Sequence, residues 1–196
     1  VGTQETAAFV VFATVAAITP GPSNAMLMAT AALVGFVRAL PCVAGVACGM
    51  SLMMLIAGAG LATLIVGNHW LLIALKACGV AFLLWLAWKT AFAPLSDLEG
   101  RVKATGFAGA AAFQWINPKA WLVSGAAAAA YVRQGESPLA QGVWIAALFF
   151  AVALLCGLVW LGCGALLRRF LRSPERRRMF NYAMAGLLAL SAALLV

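Results

Sequence analysis

The run from Ala7 to Val34 is apolar enough to cross a bilayer, yet Thr19-Pro20-Gly21-Pro22 interrupts it, followed by Ser23-Asn24. A second run, Phe107 to Tyr131, is interrupted at Asn117-Pro118-Lys119. Each break lies roughly a dozen residues into the first apolar run of its half of the chain. Lipid cannot satisfy the backbone groups that a broken helix strands. Such breaks persist where they line a cavity, and matching breaks in two halves point to a transport site.

The rest of the chain supports a membrane setting. Hydrophobic residues make up 65%, charged residues 9%, and mean hydropathy is +1.03. A soluble domain is nearer half apolar and a quarter charged. The 196 residues allow about six spans of roughly 20–25 residues with short loops. Periodicity and length place them at about Ala7–Val34, Leu40–Val66, Trp70–Ala91, Phe107–Tyr131, Leu139–Leu167 and Met179–Val196. The polar stretch Pro94–Thr105, with Asp97, Glu99, Arg101 and Lys103, is the linker between the halves. Repeat 1 then covers about 5–93 and repeat 2 about 106–196, in one transmembrane domain over 1–196. No cleavable signal pattern is read at the start. Ser137-Pro138 and Ser173-Pro174 place a capping hydroxyl before a proline suited to a first helical position. Glu175 follows in a first turn, where the helix dipole favours an anion.

A net charge of +8 raises nucleic acid as a partner, but the basic residues follow a topology rule instead. Arg38, Lys89, Arg101, Lys103, Arg168, Arg169, Arg172, Arg176, Arg177 and Arg178 fall on one side of the predicted spans. Arg133 falls on the other, and Lys76 and Lys119 lie within spans. The bias places the loops after odd-numbered spans in the cytoplasm and both termini outside. Two three-span halves in series must insert in opposite senses. The expected architecture is therefore all-α and integral to the membrane, six helices in a 3+3 inverted repeat with helices 1 and 4 broken.

Pro20, Pro22 and Pro118 lack an N–H, and Gly21 tolerates unusual backbone angles. Pro22 suits the first position of a second half-helix. Asn117 is a plausible cap with Pro118 in first position. Each second half-helix would present a positive N-terminal end near mid-membrane. Free amides there can bind a carboxylate. The carbonyls ending the first half-helices suit an ammonium, so the pair matches an amino-acid zwitterion. The bland alternative is two packing kinks. Lys119 lies mid-span, where charge costs roughly 3 kcal/mol or more. It is a candidate substrate ligand, against the alternative of a structural contact to a stranded carbonyl. Lys76 is an accessory candidate that could equally snorkel outward. Thr19, Ser23, Asn24, Gln114 and Asn117 supply neutral polar groups, whose simpler role is interhelical hydrogen bonding.

Gly45 and Gly49 form a GxxxG pattern that reads as close helix packing. Cys42, Cys48, Cys78, Cys156 and Cys163 lie in apolar stretches without a CxxC and read as small buried hydrophobes. Cys156 and Cys163 share a face at i, i+7. His69 has no companion ligands. Trp70, Trp88 and Trp144, near span ends, read as interfacial anchors.

At these residues the chain resembles the LysE/RhtB superfamily of bacterial amino-acid exporters, over almost its whole length. Thr19-Pro20-Gly21-Pro22 with Asn24 looks like that family's first-helix motif, and Gly35, Arg38, Gly45 and Gly49 follow at similar spacing. Lys76, Gly79 and Leu86-Ala87-Trp88-Lys89 resemble its third helix. Phe113-Gln114-Trp115-Ile116-Asn117-Pro118-Lys119-Ala120 resembles its fourth. These motifs are most similar to the cysteine/O-acetylserine exporter branch, with the homoserine, threonine and leucine exporters close. The resemblance implies secondary, proton-coupled efflux from the cytoplasm across a bacterial inner membrane, without a cofactor or catalysis. Many members carry an acidic residue just after the PGP motif, where this chain has Ser23 and Asn24. No Asp or Glu falls inside a predicted span, and Glu5, at the outer end of the first, is the nearby carboxylate. That fits a small neutral zwitterion and leaves Glu5 as the coupling candidate.

The expected site is thus Thr19, Pro20, Gly21, Pro22, Asn24, Gln114, Asn117, Pro118 and Lys119, with Ser23 and Lys76 accessory, Glu5 for coupling and no metal. The expected partners are a small amino acid, protons and lipid; a homodimer is compatible with the chain, and nucleic acid is not expected. A metal-ion exporter of the same superfamily would want clustered Cys, His, Asp or Glu. A membrane thiol-redox carrier would want cysteines beside the prolines. A structural subunit without a site would not need Lys119 inside a span.

Overall fold

The computed structural model describes residues 2–61, 69–92, 104–133, 137–170 and 173–193. Most of the linker expected over 94–105 lies outside the described residues, as do the side chains of Lys76 and His69. The described chain is helical, with no strand among the described residues. In chain order the α-helices are α1 (Thr3–Ile18), α2 (Pro22–Val34), α3 (Phe36–Ile56), α4 (His69–Ala91), α5 (Phe107–Ile116), α6 (Pro118–Tyr131), α7 (Pro138–Phe170) and α8 (Pro174–Ala193). A π-helical turn, Ala57–Leu61, continues α3.

Among the described residues, two helical stretches are long and apolar enough to cross a membrane, Phe36–Ala59 and Pro138–Leu167. Thr3–Ile18 and Pro22–Val34 pass the same test together as a pair bent by 58°. Gly35 alone joins α2 to α3. Its φ of 88° lies in the left-handed region, where a Cβ would be strained. This one-residue corner lets α3 start at Phe36, so Arg38 sits exposed on its first turn rather than in a loop. Similarly α8 starts at Pro174, ahead of the expected apolar boundary at Met179, and carries Arg176 and Arg178 exposed. Helix can continue past an apolar span because its backbone is satisfied internally, whatever surrounds the side chains. The Ser137 and Ser173 hydroxyls accept from the amides of Ala140 and Arg176, at 3.4 and 3.3 Å, as caps.

Helix α7 is the central post of the bundle, packed against α1, α2 and α3. Close approach is set by glycines. A Cβ on Gly49 would lie 2.7 Å from the Ala111 carbonyl oxygen and 2.9 Å from Gln114 Cγ. One on Gly45 would collide with the Phe107 carbonyl. The GxxxG pair is therefore the seat on which α5 rests. The main core holds Phe9, Leu27, Val43, Met53, Met54, Ile145, Phe149 and Leu161. A second, smaller core lies between α4 and α8, around Leu83, Ala87, Leu188 and Ala192. Trp70 and Trp88 are exposed, but Trp144 packs 5.3 Å from Phe9, in a cluster with Phe12 and Tyr131. It is part of the bundle and not a free interfacial anchor, because α1 covers the face of α7 that carries it. The cysteines divide too: Cys42 and Cys156 are buried, Cys48 is half-buried, and Cys78 and Cys163 are exposed. The expectation of five buried thiols fails for the last two because the bundle covers only one side of α4 and of α7's end. Cys156 and Cys163 consequently do not share one environment.

Candidate functional site

At the first break the chain leaves helix geometry after Ile18. A helix end strands its last carbonyls unless something else donates to them. Here the chain's own side chains do so. Val15 O accepts from the Thr19 amide and hydroxyl. Asn24, one turn into the helix beyond, reaches back with Nδ2 to Ala17 O at 3.0 Å and Thr19 O at 2.8 Å. Lys119 Nζ donates to Thr19 O at 2.6 Å and to Pro20 O at 3.4 Å, across 100 and 99 residues of sequence.

The start of α2 is left more open. Gly21 is its N-cap and supplies no side chain, and Pro22 at the first position has no N–H. Among the described residues the amides of Ser23 and Asn24 find no backbone acceptor, while Gly21 O already accepts from Ala25 N. Gly21 has φ −176° and ψ 179°, extended backbone that any residue adopts. The expectation that a glycine serves here for unusual backbone angles is corrected: the reason is space. A Cβ at this position would lie 2.9 Å from Lys119 Cδ and 3.2 Å from its Nζ.

At the second break Asn117 Oδ1 accepts from the Lys119 amide at 3.1 Å, so the side chain caps α6. Pro118 takes the first helical position. Trp121 Nε1 closes the other side by donating to Trp115 O at 2.8 Å. The two breaks then lock together through side chains. Ser23 Oγ donates to Gln114 Oε1 at 2.8 Å, and Asn117 Nδ2 donates to Ser23 Oγ at 2.9 Å. Gln114, fully buried, is held in turn by its Nε2 on Ala110 O at 3.0 Å.

Between the breaks lies a cavity of about 50 Å³. One water needs roughly 10–15 Å³, so the cavity has room for more than one. Gly21, Ser23, Asn24, Asn117 and Lys119 make its polar wall. Val46, Met50, Val123 and Phe149 make the apolar one, with Ala153 and Gly157 of α7 leaving room. Among the described lining residues, Lys119 is the one with an ionisable side chain. Thr19, Pro20, Pro22, Gln114 and Pro118 stand behind this wall and hold it rather than face it.

Two expectations meet a different arrangement. The carbonyls ending α1 are not open to a ligand's ammonium, since Lys119 and Asn24 already occupy them. The two half-helix starts are not equivalent either, because Asn117 caps the second with its own side chain. Glu5 is not brought to the cavity. It lies fourteen residues before Thr19, about 21 Å along a helix, where it accepts from Gly2 N and pairs with Arg133. Arg133 is itself held by Gln141, which accepts from its amide at 2.6 Å and donates to its carbonyl at 3.1 Å. The apolar wall was missed from sequence. Met50 and Phe149 differ in no way from other apolar residues of α3 and α7, and only Gly157, a helix-interior glycine, carried any local signal.

Comparisons with known proteins agree with the motifs. Cysteine/O-acetylserine efflux proteins of Salmonella choleraesuis (strain SC-B67) and Salmonella typhimurium (strain LT2) are each 29% identical to this chain over 185 residues, 94% of both sequences. The protein of that description from Escherichia coli (strain K12) is 28% identical over the same span and coverage. No solved structure matches. The family described as LysE type translocator matches residues 14–196, and with TPGP and NPK meeting at one cavity, the chain belongs to that family.

Proposed function

We propose that this protein exports small neutral amino acids from the cytoplasm by proton-coupled alternating access, as six spans in a 3+3 inverted repeat with both termini outside. The observation that carries the reading is the cavity between the breaks, where the uncapped start of α2 faces a cluster of oriented polar groups. The Ser23 and Asn24 amides and the positive end of α2 suit a carboxylate. The cavity, at about 50 Å³, is small. Its apolar wall suits a short side chain, and no described carboxylate faces it to favour a cationic one. The efflux proteins similar to this chain are named for cysteine and O-acetylserine, which are within that class.

The test is efflux of labelled amino acids from loaded vesicles carrying the purified protein, under an imposed proton gradient. Serine, cysteine, O-acetylserine, homoserine and threonine are expected to leave faster than lysine or glutamate. Matched amino alcohols, which lack the carboxylate, are expected to compete at least tenfold more weakly. Equal competition by the amino alcohol would remove the carboxylate site. Absence of transport across the whole panel by correctly inserted protein would remove the function.

A further inference from the structure

We infer that Lys119 is a tethered competitor for the substrate's own ammonium: the two exchange on the carbonyls of Thr19 and Pro20, and one proton leaves for each amino acid bound. This rests on the efflux reading above, and it names the residue through which proton and substrate are linked.

The geometry starts from the carbonyls. Thr19 O and Pro20 O end a broken helix at the negative end of its dipole, and both point at one cation, Lys119 Nζ. A substrate whose carboxylate sits on the Ser23 and Asn24 amides has its ammonium two bonds from the carboxyl carbon. These amides are three to five residues further along the same short segment as those two carbonyls. Lys119 lines the cavity and covers this carbonyl pair, so the pair opens to the substrate's ammonium only when Lys119 moves off it. Two ammonium groups cannot share these oxygens, since like charges at close range repel strongly inside a low-dielectric site. Among the described residues no carboxylate of the protein lines the cavity to balance a second cation. Among the described residues, the walls from α1, α2, α3 and α7 bring no Asp, Glu, His, Arg or Tyr to the cavity, and Cys42, Cys48 and Cys156 do not line it.

Substrate entry then requires Lys119 to give up its hold. The balanced step is that the ammonium loses one proton to water, its neutral amine swings off Thr19 O, and the substrate ammonium takes its place. The proton returns when the substrate leaves. Lysine suits this because its amine deprotonates on loss of a stabilising partner, whereas arginine stays charged. Gly21 leaves the space in which the side chain moves, as a Cβ there would press on Lys119 Cδ.

The experiment is calorimetric binding of serine to the purified, detergent-solubilised protein at pH 6 and pH 7. The competitor holds two carbonyl oxygens as an ammonium, so each binding event has one proton to release. Buffers of different ionisation enthalpy count the protons released. The wild type is expected to bind about tenfold more weakly at pH 6 than at pH 7 and to release one proton per serine. Lys119→Gln is expected to bind with the same affinity at both pH values and release none. Lys119→Arg, with a competitor that stays charged, is expected to bind at least tenfold more weakly than wild type at pH 7. Wild-type binding without proton release, or a Lys119→Gln protein that keeps the tenfold pH effect, overturns the exchange while leaving the efflux reading in place. Failure of wild type and Lys119→Gln alike to bind any amino acid of the panel, in folded protein, overturns both.

Discussion

The two breaks look alike as sequence and differ as structures. The second is closed by its own neighbours: Asn117 caps α6, and Trp121 closes on the Trp115 carbonyl from within one turn. The first is closed from a distance. Its carbonyls depend on Asn24 from the next helix and on Lys119 from the other half of the chain, and the start of α2 has no side-chain cap at all. A break that seals itself is a fixed part of the scaffold. A break that borrows its partners can exchange them, and the cavity lies against that one.

Removing the borrowed partner should have the largest effect. Lys119→Met should lower proton-driven export at least tenfold in vesicles, because it removes the group that exchanges its proton against the substrate. Wild-type flux from a correctly inserted variant would end the distinction between the breaks. Next in size is Gly21→Val, whose side chain would press on Lys119 without straining an extended backbone. About fivefold lower export is expected, and the double variant with Lys119→Met should be no worse than Lys119→Met alone, since the two act through one contact. At the self-sealed break the effect should appear as stability. Asn117→Ala removes a cap and a link to Ser23, and should cost about 1–2 kcal/mol in thermal or denaturant unfolding in detergent, with a smaller loss of export than Lys119→Met. Smallest of all is Glu5→Gln. Its partner Arg133 is 56% exposed and Glu5 33%. Ion pairs of that exposure contribute about 0–1 kcal/mol. Unchanged export is expected, and a loss of proton coupling would return Glu5 to the transport pathway.

The helix ends at Ile18, Pro22, Ile116 and Pro118 fall at residues that could be named from sequence, because a proline nitrogen cannot donate wherever it is placed. The GxxxG contact was legible for a similar reason, since absence of a Cβ matters only where two backbones meet. The helix limits at Phe36 and Pro174 were not, because apolar runs mark where lipid begins and not where hydrogen bonding stops. Trp144 and the exposed Cys78 and Cys163 were misread, as nothing along a uniformly apolar helix says which face meets protein and which does not.

The constraints written along the chain are local and subtractive: missing N–H groups at the prolines, missing side chains at the glycines, a lysine where a charge is costly, and apolar length enough for a membrane. Tertiary structure alone decided the pairing. Lys119 could have faced a carboxylate, a carbonyl or the lipid edge, and Gly21 could have served the backbone. Only when α1, α2, α5 and α6 are brought together does Lys119 fall on the Thr19 carbonyl and Gly21 become the space that admits it. Hydrogen bonds across 100 residues depend on how helices pack, and packing depends on all the faces at once.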